Sequence, residues 1–203
     1  MSQIALPFSH QSEADPSHIV IGNANADIIE SLRQSDRWPY RTAVLSGPAR
    51  SGKSLFGRWF SRQGIGEVID NASQIDETDL FHRWNRVQEQ ERPLLLINNQ
   101  SLWDIRLPDL RSRLGAALHL EIDYPDDEMA AALLESHAMR RGIMLGESAS
   151  AYLLPRMERS FSAIERVVSA IDRLTLERKQ APTLSIWRDA LESVQGPEQG
   201  RLL

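Results

Sequence analysis

Residues 47–54 read Gly-Pro-Ala-Arg-Ser-Gly-Lys-Ser, two glycines five positions apart with a lysine and a hydroxyl directly behind the second. Glycines at such points let successive backbone N–H groups turn inward around an anion, because no Cβ obstructs the turn. Lys53 then presents a point charge to outer phosphate oxygens, and the Ser54 hydroxyl is a hard oxygen donor suited to Mg²⁺. The chemistry implied is the cradling of a nucleotide's phosphates by Gly47, Pro48, Ala49, Arg50, Ser51, Gly52, Lys53, Ser54 and Leu55. Chance places four such fixed positions somewhere in a chain of this length on the order of one time in a hundred, from average residue usage. The competing reading is a glycine-rich structural turn.

The flanks decide between them. A phosphate loop needs a strand to deliver it and a helix to carry it away; "TAVLS" (42–46) is a β-type run, and Leu55, Phe56, Trp59 and Phe60 recur at helical spacing behind the loop. A hydrolase of this class also needs a strand-end carboxylate for the metal and a group to polarise water. Two later runs compete for that place. "RPLLLINN" (92–99) is the pattern of a buried parallel strand but ends in Asn98 and Asn99, whereas "GEVIDN" (66–71) ends in Asp70 and Asn71. Beyond Pro125 the pattern becomes that of amphipathic helices, with Phe161, Ile164, Val167, Val168, Ile171 and Leu174 on one stripe and "TLSIWRDALESV" (183–194) closing the set. The expected fold is thus α/β, a parallel sheet around a P-loop followed by an all-helical part.

Composition narrows the classes of function. There is no cysteine, so disulfides and thiolate metal sites are excluded, and five scattered histidines show no ligand spacing. The formal net charge is −5, which lacks the footprint of an autonomous DNA binder; no strong direct DNA contact is expected. No window approaches the roughly 18 apolar residues of a membrane span, so no membrane partner and a cytoplasmic location are expected.

Taken in order, "SHIVIGNANADII" (17–29), the P-loop, "EVIDNASQID" (67–76), "PLLLINNQSLWDI" (93–105) and "LPDLRSRL" (107–114) resemble the DnaA-like AAA+ proteins, and among them the Hda family of regulatory inactivators of DnaA. The resemblance implies an AAA+ core at 13–125, an α-helical lid at 126–203, and bound ADP or ATP with Mg²⁺ on Ser54 and Asp70. It makes Asp70 the Walker B metal ligand and "LLLINN" the sensor 1 strand, with Asn98 or Asn99 as the polar group near the γ phosphate; the alternative is a degenerate Walker B at Asn98. Within "DLRSRL" it implies an arginine finger at Arg113, with Arg111 as the neighbouring candidate, acting in trans on the ATP of DnaA. It also gives a role to "QIALPF" (3–8), whose Gln3, Leu6, Pro7 and Phe8 fit the family's Q-x-x-L-P-[LF] peptide for the DNA polymerase III sliding clamp, within a segment 1–12. A homodimer is a further partnership left open.

The chain departs from that family at four points. Only "RQGIG" (62–66) separates the P-loop helix from "EVIDN", so one αβ unit is missing, and in a sheet of order 5-1-4-3-2 the lost strand is the edge one. Asn71 stands where hydrolysing relatives carry a second acid; a neutral amide cannot take a proton from water, so turnover by the chain itself is expected to be slow. The position aligned with the lid's sensor 2 arginine is Ser162, with Arg159 and Arg166 as neighbours. The residues after Val194 do not resemble the helix-turn-helix DNA-binding domain of DnaA. Two other classes compete with the regulator: an autonomous helicase- or factor-loading ATPase dependent on Asp70, and a small-molecule P-loop kinase, which the helical C-terminal third fits poorly.

Overall fold

Val44 faces one side of its strand while Ala43 and Leu45 face the other, and all three are buried. Such a strand must be covered on both faces, which is why it reads as a continuous apolar run rather than an alternation. The computed structural model describes residues 19–100 and 103–196; Gln3, Leu6, Pro7 and Phe8 lie outside the described residues.

Four parallel strands, β1 (Thr42–Ser46), β2 (Glu67–Ile69), β3 (Leu94–Ile97) and β4 (Leu118–Glu121), form one sheet in the order β2-β3-β1-β4. The register sets Val44 beside Leu96 on one flank and His119 on the other. This is the order expected of an AAA+ sheet whose outermost strand is missing. The helix after the P-loop, α2 (Lys53–Arg62), therefore crosses over β3 to reach β2.

That crossover depends on glycine in place of side chains. A Cβ on Gly57 would stand 2.6 Å from Ile97 Cδ1 and 3.0 Å from Val68 Cγ1, so the helix lies directly on the sheet. At Gly66 a Cβ would meet the Pro93 carbonyl oxygen at 2.3 Å, which explains how so short a link connects α2 to β2. Phe56 and Phe60 fill the space between, Phe60 stacked on Trp38 at 5.5 Å between ring centroids.

The opposite face is covered by α3 (Glu77–Glu89) and α4 (Pro108–Gly115), which bury Leu80, Trp84, Val87, Leu110 and Leu114 against Val44, Leu94 and Leu96. Asp76 starts α3 by accepting hydrogen bonds from the N–H groups of Thr78 and Asp79, the usual role of an aspartate N-cap. Two polar contacts pin the helix to β1, Trp84 Nε1 donating to Thr42 Oγ1 at 3.1 Å and Gln88 Nε2 donating to the same hydroxyl at 3.3 Å.

The helical part comprises α5 (Asp127–Arg140), α6 (Glu147–Leu153), α7 (Phe161–Arg178) and α8 (Leu184–Gln195). All six residues of the apolar stripe on α7 are buried. They join a core that continues through α1 (Ala26–Arg33) and α2 to the sheet, so lid and core share one apolar cluster. Among the described residues no helix is long and apolar enough to cross a membrane.

Candidate nucleotide-binding site

The loop between β1 and α2 has the backbone that its glycines allow. Gly47 has φ +146° and Gly52 φ +88°, and a Cβ on Gly47 would come within 2.8 Å of the Ile122 carbonyl oxygen. Arg50 also takes positive φ, at 66°, a conformation that disfavours side chains and is held here at a functional loop. Lys53, only 5% exposed, folds back so that Nζ donates to the carbonyls of Gly47 at 2.9 Å and Pro48 at 2.8 Å. Burial pulls its pKa down, and the nearby carboxylate of Asp70 opposes that shift.

A cavity of about 520 Å³ opens over the loop. Residues 50–55, Arg58 and Asn99 form its core side, and His137, Arg140, Arg141 and Glu165 its lid side. It adjoins a small slot of about 60 Å³ walled by Ile19, Val20, Leu55, Phe56, Met129, Leu133 and Phe161. The buried Asn25 shapes the slot's edge: its side chain donates to the Val20 carbonyl at 2.9 Å and accepts from the Gly22 N–H at 3.0 Å. The lid is tied to the loop by Arg50 and Glu165, which pair through two hydrogen bonds. Burial pushes the Glu165 carboxyl up, but Arg50 outweighs it and the net shift is down.

These residues fit a nucleotide. The Ser51 hydroxyl is buried within the loop and has no hydrogen-bond partner among the described residues, the condition of a polar group that a ligand satisfies. The wide compartment carries several cations suited to phosphates, and the narrow one sets apolar side chains beside Asn25, Ser136, His137 and Arg140.

Residues 126–191 match the family model for the lid domain of Hda. Domain III of the Thermotoga maritima replication initiation protein DnaA superposes with a TM-score of 0.76 at 12% identity, covering 92% of this chain and 99% of that one. The helical part thus carries a lid of the Hda type, and the chain as a whole has the fold of DnaA domain III. Aquifex aeolicus DnaA bound to AMPPCP gives a TM-score of 0.62 at 15% identity, covering 84% of this chain and 69% of that one. An uncharacterized Haemophilus influenzae protein is 26% identical over 229 residues, covering 93% of this chain and 98% of its own.

Asp70 directly follows β2, exposed, and is close enough to raise the Lys53 pKa; Ser54 lines the cavity. No group of three or more His, Cys, Asp or Glu side chains that could hold a metal is present among the described residues. Ser54 and Asp70 are the oxygen donors that would hold a Mg²⁺ ion, although Asp70 does not itself line the cavity. Of the two asparagines after β3, Asn98 is buried and turned away, bonded through both side-chain atoms to the backbone of Gln100. Asn99 is the one that lines the cavity, and it donates to Asn71 Oδ1 at 2.5 Å. Successive side chains at a strand end point to opposite faces, so only one of the pair can serve the loop.

The arginines separate as well. The Arg113 guanidinium lies over the rings of Phe81 at 4.3 Å and Trp84 at 4.6 Å and donates to Asn85 Oδ1 at 3.1 Å. Arg111 is exposed, with Nε donating to the Ile105 carbonyl at 2.6 Å. In the AAA+ lid, Arg159 pairs with Asp127 at 2.6 Å, and Arg166 lines a separate groove with Ser162 and Arg173; neither lines the loop cavity. The lid groups that do, His137, Arg140, Arg141 and Glu165, had no signal in the sequence: basic residues at the end of a helix, as on α5, and a single glutamate within one, as on α7, are commonplace.

Proposed function

We propose that this protein binds an adenine nucleotide and negatively regulates chromosomal replication initiation, docking on the sliding clamp and stimulating hydrolysis of DnaA-bound ATP. The observation that carries this reading is a P-loop cavity roofed by an Hda-type lid, with Asn71 rather than a second acid beside Asp70. A carboxylate there would take a proton from the attacking water; the amide of Asn71 cannot, and it is already bonded to Asn99. The loop N–H groups, Lys53 and Ser54 bind and orient phosphates, whether the occupant is ADP or ATP; Ser54 and Asp70 would hold a Mg²⁺ ion, which would supply charge neutralisation.

The chemistry performed on a partner then falls to α4. Arg113 stands in the position that the resemblance gives to the finger, and an arginine inserted into a neighbour's site contributes roughly 10³ to 10⁵ in rate. To reach a neighbour, its guanidinium leaves Phe81 and Trp84, or the neighbour docks against that face with the stack in place. Gln3, Leu6, Pro7 and Phe8 supply the clamp contact as an extended peptide whose alternate side chains enter pockets.

The test combines the protein, clamp loaded on DNA, and DnaA carrying labelled ATP. Hydrolysis should accelerate, and the acceleration should vanish in Arg113→Ala and in the Gln3→Ala, Leu6→Ala, Phe8→Ala triple variant. An unchanged hydrolysis rate with the wild-type protein sinks the proposal.

A further inference from the structure

Phe81, Trp84 and Asn85 stand at i, i+3 and i+4 on α3, so one face of that helix presents aromatic rings and an amide side by side. Arg113, in the last turn of α4, lays its guanidinium on this face, 4.3 Å from the Phe81 ring centroid and 4.6 Å from that of Trp84, with Nη1 donating to Asn85 Oδ1 at 3.1 Å. The bed is itself anchored, because the Trp84 indole N–H is bonded to Thr42 Oγ1 on β1. None of the three side chains carries a charge.

We propose that Phe81, Trp84 and Asn85 are positioning residues for the Arg113 finger, holding its guanidinium in one plane for the phosphates of a docked neighbour. This rests on the reading of Arg113 as a finger acting on a partner's ATP. A finger has two requirements that conflict. Its long side chain must be fixed before the partner arrives, or its rotamer freedom is lost at the encounter. Yet the common way to fix an arginine, an ion pair with a carboxylate, offsets the charge that the transition state needs. Ring faces and a neutral amide meet both requirements, since they fix the plane and leave the positive charge in place. The remaining donors of the guanidinium make no hydrogen bond or ion pair among the described residues, so they are left for a partner's oxygens.

Hydrolysis of DnaA-bound ATP, followed at rising concentrations of the full chain with clamp loaded on DNA, separates positioning from docking. Asn85→Ala should lower the maximal stimulated rate about tenfold, as for a lost hydrogen bond to a charged group, and leave the half-saturating concentration unchanged. Phe81→Leu, which keeps an apolar side chain but no ring face, should lower it about threefold, and Phe81→Tyr should restore it. Asn85→Asp keeps the acceptor but adds a charge, and should be at least as slow as Asn85→Ala. Circular dichroism confirms that each variant is folded. A maximal rate unchanged or raised in Asn85→Ala, a wild-type rate in Asn85→Asp, or an effect confined to the half-saturating concentration overturns the positioning role while leaving the finger intact. Stimulation that survives in Arg113→Ala overturns the finger and its bed together, and a wild-type protein that does not stimulate overturns the whole reading.

Discussion

The Lys53 ammonium rests on two loop carbonyls, a contact that phosphate oxygens would replace on nucleotide binding. Lys53→Ala is expected to weaken ADP and ATP at least tenfold in calorimetric titrations of the nucleotide-stripped protein, since charge-assisted contacts to phosphate are the strong ones. His137 makes a pH prediction. Its folded pKa of about 4 lies below the ordinary 6.5, so the unfolded chain binds the extra proton between those values. Stability is therefore complete above pH 6.5 and falls as the pH drops toward 4, by up to ~3 kcal/mol at the acid end. Urea denaturation between pH 4 and 7 should show that slope, and His137→Asn should flatten it. Arg113 has a second expected phenotype besides loss of stimulation. Stacked on Phe81 and Trp84 and half-buried, it should cost about 1 kcal/mol when replaced by alanine, read as a lower denaturation midpoint. Arg113→Lys, which keeps the charge but not the planar fork, separates packing from finger chemistry.

At the scale of elements, the sheet tolerates a missing strand because the absent one would have been at the edge, and β2 still pairs with β3. What cannot be spared is the close approach that carries α2 from β1 to β2. Gly66→Ala sets a Cβ against the Pro93 carbonyl, a backbone atom that cannot step aside as a side chain would. A loss of about 1–3 kcal/mol is expected from that overpacking, measured by chemical denaturation. Gly66 also explains the economy of the connection, because a side chain there would demand a longer loop. The lid helices follow more ordinary rules: Asp126 caps α5 and Ser160 caps α7, each accepting from a backbone N–H three residues on.

Across the whole molecule, core and lid meet over the loop through one apolar cluster and the Arg50–Glu165 pair. A ligand held between them stabilises the folded chain by mass action, about 2.7 kcal/mol at a hundredfold excess over Kd. For a chain of this size that corresponds to a rise in Tm of roughly 5–10 °C, at 2–4 °C per kcal/mol. Thermal scans with ADP should show it in the wild type and lose it in Lys53→Ala. On the far side of the sheet from α2, α3 and α4 form the face that carries Arg113, and the proposed partner contact belongs there.

The sequence by itself determined the P-loop, the parallel strands and the lid stripe, because each is a local pattern. Glycine spacing dictates a backbone turn, an unbroken apolar run demands cover on both faces, and a 3.6-residue period defines a buried side. It also located the missing αβ unit, since "RQGIG" is too short to hold one. Tertiary structure alone decided which side chains meet at the loop. Whether Asn98 or Asn99 faces the cavity depends on the strand's register and on the turn at Gln100. Arg140 reaches the cavity only because α5 packs on α7 and brings its last turn over the P-loop, roughly ninety positions away in the chain. Such contacts are set by packing between distant segments, for which a single sequence carries no periodic mark.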